Sequence, residues 1–169
     1  IGGEILAEYS RGPFDAGKIV FAGVGKTDIE INEGIDAGIG WFNIESEAEL
    51  ANLIRIAEGR AKQGKSHEVR AALRVNPDVD PKTHRHTSTG KRESKFGVDL
   101  ERARAVFAEF GRNEFVRLTG IHLHIGSPVM NIDAYTDAVT KALAMIAELR
   151  KDGFTVDTLD VGGGFRADY

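Results

Sequence analysis

The sequence predicts an α/β protein of repeated βα units whose parallel strands form part of a (β/α)8 TIM barrel. A complete five-stranded doubly wound parallel sheet is the alternative. Three observations carry this. Short runs rich in β-branched and apolar residues alternate with stretches of helical periodicity. Inside four of those runs polar residues alternate with apolar ones, so each strand has one polar and one apolar face. An open doubly wound sheet buries both faces under helices and should read as nearly continuous apolar strands. A barrel packs helices on its outer face only and accommodates polar groups toward an interior ligand site. Finally, 20 of the 169 residues are glycine without collagen periodicity, as many tight strand-to-helix turns require.

In chain order, residues 2–10 read as the remainder of a helix. Strands are expected at 19–24, 41–45, 71–76, 118–125 and 156–161. After the second strand, Ser46 with Glu49 forms a capping box, Leu50, Leu53, Ile54 and Ala57 make the apolar stripe of a helix, and Gly64 ends it. After the third, Asp99 caps a helix carrying Leu100, Ala103, Phe107 and Phe110 on one face. The longest helix carries Ile132, Tyr135, Val139, Leu143, Ile146 and Leu149, with Lys151 in its last turn and Gly153 as its stop. The alternation predicts that Asn43, Arg74, His122, His124 and Asp160 converge on one interior. Leu73, Val75, Ile121, Leu123 and Ile125 should pack against outer helices.

Composition narrows the partners. The formal net charge is −4, the wrong sign for a nucleic-acid or anionic-membrane binder without a segregated basic face, which leaves a small molecule or another protein. The absence of cysteine removes disulfides, thiolate metal sites and a cysteine nucleophile, and fits a reducing compartment such as the cytoplasm. No run of 18 apolar residues is present to span a bilayer. The chain opens on Ile1 rather than Met and is shorter than the ~250 residues of a complete barrel, so it reads as an excerpt.

Four motifs invite chemistry. Phe21-Ala22-Gly23-Val24-Gly25-Lys26-Thr27 imitates a phosphate-binding P-loop but has Val20 where the first glycine belongs, and so cannot cradle a triphosphate with backbone N–H groups. His122-Leu123-His124 has the spacing for two metal ligands from one strand, yet the further ligands would have to come from His67, His84, His86, Glu45 or Asp160. Contact with a planar ligand and a structural role are the other readings. Asp160-Val161-Gly162-Gly163-Gly164 closes the last strand with backbone free to approach a phosphate, or with a plain flexible turn. The long segment 77–97 carries Lys82, His84, Arg85, His86, Lys91, Arg92 and Lys95, which could meet an anion or form a solvated charged loop.

Together, five stretches resemble the pyridoxal-phosphate-dependent diaminopimelate decarboxylases, relatives of the ornithine and arginine decarboxylases on the alanine-racemase-like barrel. They are Asn43-Ile44-Glu45-Ser46-Glu47-Ala48-Glu49-Leu50, Leu73-Arg74-Val75-Asn76-Pro77, Thr87-Ser88-Thr89-Gly90 with Lys95-Phe96-Gly97, Gly120-Ile121-His122-Leu123-His124-Ile125-Gly126-Ser127, and Asp160-Val161-Gly162-Gly163-Gly164. The resemblance implies that 1–169 are about the second to seventh βα units of a pyridoxal-phosphate-binding barrel, without its C-terminal β domain. It implies that His124 stacks on the cofactor ring, that Ser127 with the backbone of Gly162, Gly163 and Gly164 holds the phosphate, and that Arg74 projects beneath the ring. His122, Asn76, Lys95 and Asp160 would border the site, with no metal. The implied reaction is decarboxylation of meso-diaminopimelate to L-lysine and carbon dioxide. Ornithine, arginine or carboxynorspermidine decarboxylation, or a non-catalytic barrel binding protein, are the alternatives, and a head-to-tail homodimer is implied for the whole protein.

Three departures accompany the resemblance. The family's Schiff-base lysine lies in a Tyr/Phe-Ala-x-Lys context absent here, and Lys26 is on a different strand, so the excerpt is expected to be inactive alone. Ser127 is followed by Pro128 where Gln is commoner. The triple glycine is followed by Phe165-Arg166-Ala167-Asp168 rather than Leu-Gly-Ile.

Overall fold

The computed structural model describes residues 15–65, 67–79, 96–129 and 132–165. After a 3-10 turn at Ala16–Lys18 the elements are β1 Val20–Phe21, α1 Asp28–Ala37, β2 Trp41–Ile44, α2 Glu47–Lys62, β3 Val69–Asn76, β4 Val98–Asp99, α3 Leu100–Phe110, β5 Val116–His122, α4 Ile132–Lys151 and β6 Thr158–Asp160. Every pairing is parallel. The sheet runs β1-β2-β3-β5-β6, with the short β4 added to the far end of β3.

This order settles the architecture. A doubly wound sheet reverses direction at a switch point, whereas here the strands follow chain order and right-handed crossovers put successive helices on one face. The sheet is also curled. Asn43 Nδ2 on β2 donates to Asp160 Oδ2 on β6 at 2.7 Å, although a flat sheet would hold strands three steps apart at about 14 Å. The protein is therefore a parallel half-barrel, part of a TIM barrel, and the complete doubly wound sheet is excluded.

The convex face is the hydrophobic core. Phe42, Ile44, Leu73, Val75, Ile121, Leu123 and Ile125 are buried there in one cluster with Ile31, Leu53, Phe107, Ala138 and Ile146 from the helices. Each such side chain contributes about 1.5–3 kcal/mol on burial. Among the described residues no helix is long and apolar enough to cross a membrane.

Several local expectations need correction. The first strand is only Val20–Phe21, because Gly23 and Gly25 turn the chain out of extended geometry at φ +100° and +76°. The fourth expected strand is Val116–His122 and the fifth Thr158–Asp160, each shifted or shortened at its ends. Ser46 caps α2 by accepting from the Glu49 N–H, but the Glu49 carboxylate turns to Lys26 instead of completing a box. The reciprocal box is Thr27 with Glu30, at the start of α1. In α3 Val106 is buried with Ala103 and Phe107, and Leu100 and Phe110 only partly. In α4 Tyr135, Ile146 and Leu149 are buried as expected and Val139 partly, but Ile132 and Leu143 are exposed, and Ala134, Ala138, Ala142 and Met145 complete the buried seam. Asp99 caps α3 as expected, accepting from Arg102 N–H at 2.7 Å, but with Val98 it also forms the unexpected β4, in register with Asn76 and Val75. The helix expected at 2–10 lies outside the described residues.

Candidate functional site

The concave face carries a row of polar side chains at the carboxyl ends of four strands. Register places Arg74 of β3 opposite His122 of β5, and His122 opposite Asp160 of β6. Glu45, just past β2, closes the row: its Oε2 accepts from Arg74 Nη1 at 2.7 Å, with side chains only 4% and 9% exposed. His122 Nδ1 lies 3.2 Å from Asp160 Oδ2. That contact is not an aligned hydrogen bond, since His122 Nδ1, Asn43 Oδ1 and Glu45 Oε1 are buried without a hydrogen-bond partner among the described residues. His122, the Asn43 amide and the Gly162 N–H hold the Asp160 carboxyl far below the usual carboxylate range, against the effect of its burial. Asn43, Arg74, His122 and Asp160 thus converge as the alternation predicted.

Beyond the row, the chain following β5 and the chain following β6 run side by side. Leu123 N–H donates to Asp160 C=O and Val129 N–H to Gly164 C=O, both at 2.7 Å. The approach is close enough to exclude side chains. A Cβ on Gly162 would sit 2.2 Å from Leu123 O and 3.2 Å from His124 Nδ1, and one on Gly164 would sit 2.0 Å from Gly126 O and 3.1 Å from Ser127 Cβ. Both glycines have left-handed φ, +71° and +89°. His124 and Ser127 therefore stand against the glycine turn. Half-buried His124 is kept below the usual imidazole range by desolvation, then by the charge of Arg74 and by His122, with Glu45 and Asp160 opposing. Its ring is neutral near pH 7.

The turn is held at three points. Asp160 Oδ1 accepts from Gly162 N–H at 2.8 Å, the Tyr135 hydroxyl donates to Gly163 C=O, and Gly164 C=O accepts from Val129. Of the three glycine N–H groups, that of Gly162 is engaged, while those of Gly163 and Gly164 have no acceptor among the described residues. The Tyr135 hydroxyl was not foreseen. Its sequence signal was a tyrosine in the first turn of the helix after Gly126-Ser127, read only as an apolar position.

The other candidates fall elsewhere. Asn76, on the same face one step past the row, accepts from Asp78 N–H and lines a separate hollow of about 140 Å³ with Asp78, Asp99, Leu100 and Glu101. Lys95 and the loop cations and histidines lie outside the described residues. Among the described residues no group of three or more His, Asp and Glu side chains is placed to hold a metal ion. Lys26, the lysine of the false P-loop, is buried and donates to Gly23 O, Asn43 O and Glu49 Oε1 at 2.6, 2.7 and 2.6 Å. All three of its protons are committed to protein acceptors.

The charged inner row and the glycine turn lie at the carboxyl ends of the strands, the face on which barrel proteins carry their sites. The family described as pyridoxal-dependent decarboxylase, pyridoxal binding domain, matches residues 4–169, and the chain belongs to it. The diaminopimelate decarboxylase of Aquifex aeolicus is 42% identical over 168 residues, 99% of this chain and 39% of that protein. That of Haemophilus influenzae is 39% identical over 155 residues, 92% of this chain and 36% of that protein. Among solved structures, diaminopimelate decarboxylase from Helicobacter pylori complexed with L-lysine superposes with a TM-score of 0.82 at 34% identity, over 88% of this chain and 36% of that one. The chain thus spans well under half the length of these relatives.

The residues present fit a pyridoxal phosphate. Two N–H groups without an acceptor among the described residues, in a turn whose Gly162 and Gly164 leave no room for a Cβ, suit a phosphate. Beside them stands the half-buried His124, a planar side chain of the kind that can stack on an aromatic ring.

Proposed function

We propose that residues 1–169 are a segment of the pyridoxal-phosphate-binding barrel of a diaminopimelate decarboxylase, which releases the α-carboxylate of meso-diaminopimelate as carbon dioxide and leaves L-lysine. The observation that carries this reading is the juxtaposition of His124 and Ser127 with the 162–164 turn at the open edge of the half-barrel. In this reading the N–H groups of Gly163 and Gly164 and the Ser127 hydroxyl bind the cofactor phosphate. His124 presents its ring face to the pyridine. Arg74, locked by Glu45 and donating to His124 C=O at 3.3 Å, places a fixed positive charge below. His122 and Asp160 border the site. Bound there, the cofactor supplies the electron sink for the pair of electrons left by the departing carboxylate. The protein supplies orientation and a dry, charged floor that cannot reorganise.

The relatives' names support the substrate, and the matches cover 88–99% of this chain. In this reading the full-length protein works in the cytoplasm, as a homodimer, in lysine biosynthesis. The test is carbon dioxide release by the full-length protein with added pyridoxal phosphate. Turnover of meso-diaminopimelate, with L-lysine as product, is expected at rates well above those on ornithine, arginine or carboxynorspermidine. Preference for any of those three, or no turnover at all, would overturn the assignment.

A further inference from the structure

We infer that Tyr135 is a positioning residue that aims the phosphate-binding N–H of Gly164. The inference rests on the phosphate reading of the turn. In a trans peptide the carbonyl of one residue and the N–H of the next lie in one plane and point in opposite directions. The Tyr135 hydroxyl, from the first turn of α4, donates to the Gly163 carbonyl. That contact fixes the Gly163–Gly164 peptide plane and turns the Gly164 N–H away from α4, toward the open side of the turn. Glycine makes such a fixture necessary, because it adopts positive and negative φ about equally well and an untethered glycine peptide can flip.

Three features suit Tyr135 to the task. Its side chain is buried, and its ring stacks on Phe165 at 4.6 Å with planes 17° apart, so the hydroxyl's position is set by packing. The carbonyl of Gly164 is separately held by Val129 N–H and the N–H of Gly162 by Asp160. The Gly163–Gly164 peptide is thus the one plane in the turn whose orientation depends on a side-chain hydroxyl. Burial raises the Tyr135 pKa above its usual value, so the group stays a protonated donor throughout the working range.

The experiment compares full-length wild type with Tyr135→Phe, which keeps the ring and its stacking and removes only the donor. Dissociation constants are measured for pyridoxal phosphate and for pyridoxal, which has the same ring and no phosphate, with urea unfolding of both apo-proteins as a control. The expected result is a loss of pyridoxal phosphate affinity of about 3- to 10-fold, the scale of one hydrogen bond, with pyridoxal affinity and apo stability little changed. A merely structural role would weaken both ligands together, and an unchanged ratio of the two constants would overturn the inference. A wild type that does not favour pyridoxal phosphate over pyridoxal would instead refute the phosphate reading, and this inference with it. An intact ratio effect in a protein inactive on meso-diaminopimelate would support the inference while sinking the proposed substrate.

Discussion

Arg74→Met should be among the most damaging single changes in the chain. Arg74 and Glu45 are almost wholly removed from water, joined at 2.7 Å, and Glu45 keeps a second oxygen with no partner among the described residues. Deleting the guanidinium strands a carboxylate in a site that cannot hydrate it. Breaking a buried pair in this way costs about 3–5 kcal/mol, a large share of the total of about 5–15 kcal/mol for a folded protein. The folded-to-unfolded ratio then drops more than about a hundredfold. Removing both charges is a different perturbation: in Glu45→Gln with Arg74→Met no ion is left buried, and the double variant should recover most of the loss. The assay is urea unfolding of the full-length apo-protein, followed by circular dichroism and fluorescence at pH 7. A loss below about 1 kcal/mol in Arg74→Met, within the range of surface pairs, would refute the reasoning, as would a double variant no more stable than the single one.

Two further outcomes follow from the same geometry. Gly164→Ala should cost about 2–5 kcal/mol, combining a left-handed φ of +89° with an overlap 2.0 Å from Gly126 O, whereas Gly163→Ala, whose added Cβ meets open space, should stay within about 0.5 kcal/mol; equal losses in denaturant melts would contradict the turn's geometry. His124 binds its proton more weakly in the folded protein than at its ordinary value of 6.5, so the unfolded chain carries more protons below that pH and stability falls on acidification. His124→Phe should therefore show a shallower loss of apo stability between pH 7 and 5 than wild type, and parallel profiles would count against the claim.

The fold was legible because barrels and doubly wound sheets impose different strand patterns. Asn43, Arg74, His122 and Asp160 interrupting apolar strands ruled against two helix-covered faces, and the sheet order agrees. What the pattern misjudged were elements fixed by contacts distant in sequence. Glu49 looked like half of a capping box because Ser46 precedes it by three residues, yet Lys26, 23 residues away in sequence, takes its carboxylate at 2.6 Å. In α4 the expected Tyr135, Ile146 and Leu149 are buried, but close packing adds Ala134, Ala138 and Ala142 to the seam and leaves Leu143 52% exposed.

The site was legible in its faces and illegible in its levels. Alternation within a strand tells which side of the sheet a residue occupies, a matter of parity. Its height along the barrel is set by register, which depends on how far each helix and turn carries the chain before the next strand begins. Hence Glu45, Arg74, His122 and Asp160 could be read as inward separately, and not as one row in which the positive charge lies between two negative ones. That row explains why the charged interior is tolerated. Each ionised group has an opposite or polar neighbour on the adjacent strand, the cross-strand equivalent of a helix's i, i+4 pairs. Glu45 turns to Arg74, Asp160 to His122, Asn43 and the backbone of Gly162. The same contacts reach the glycine turn, since the carboxylate that accepts from Asn43 across the sheet also accepts from Gly162 N–H. One side chain, that of Asp160, thus joins the opposite side of the curled sheet to the proposed phosphate seat.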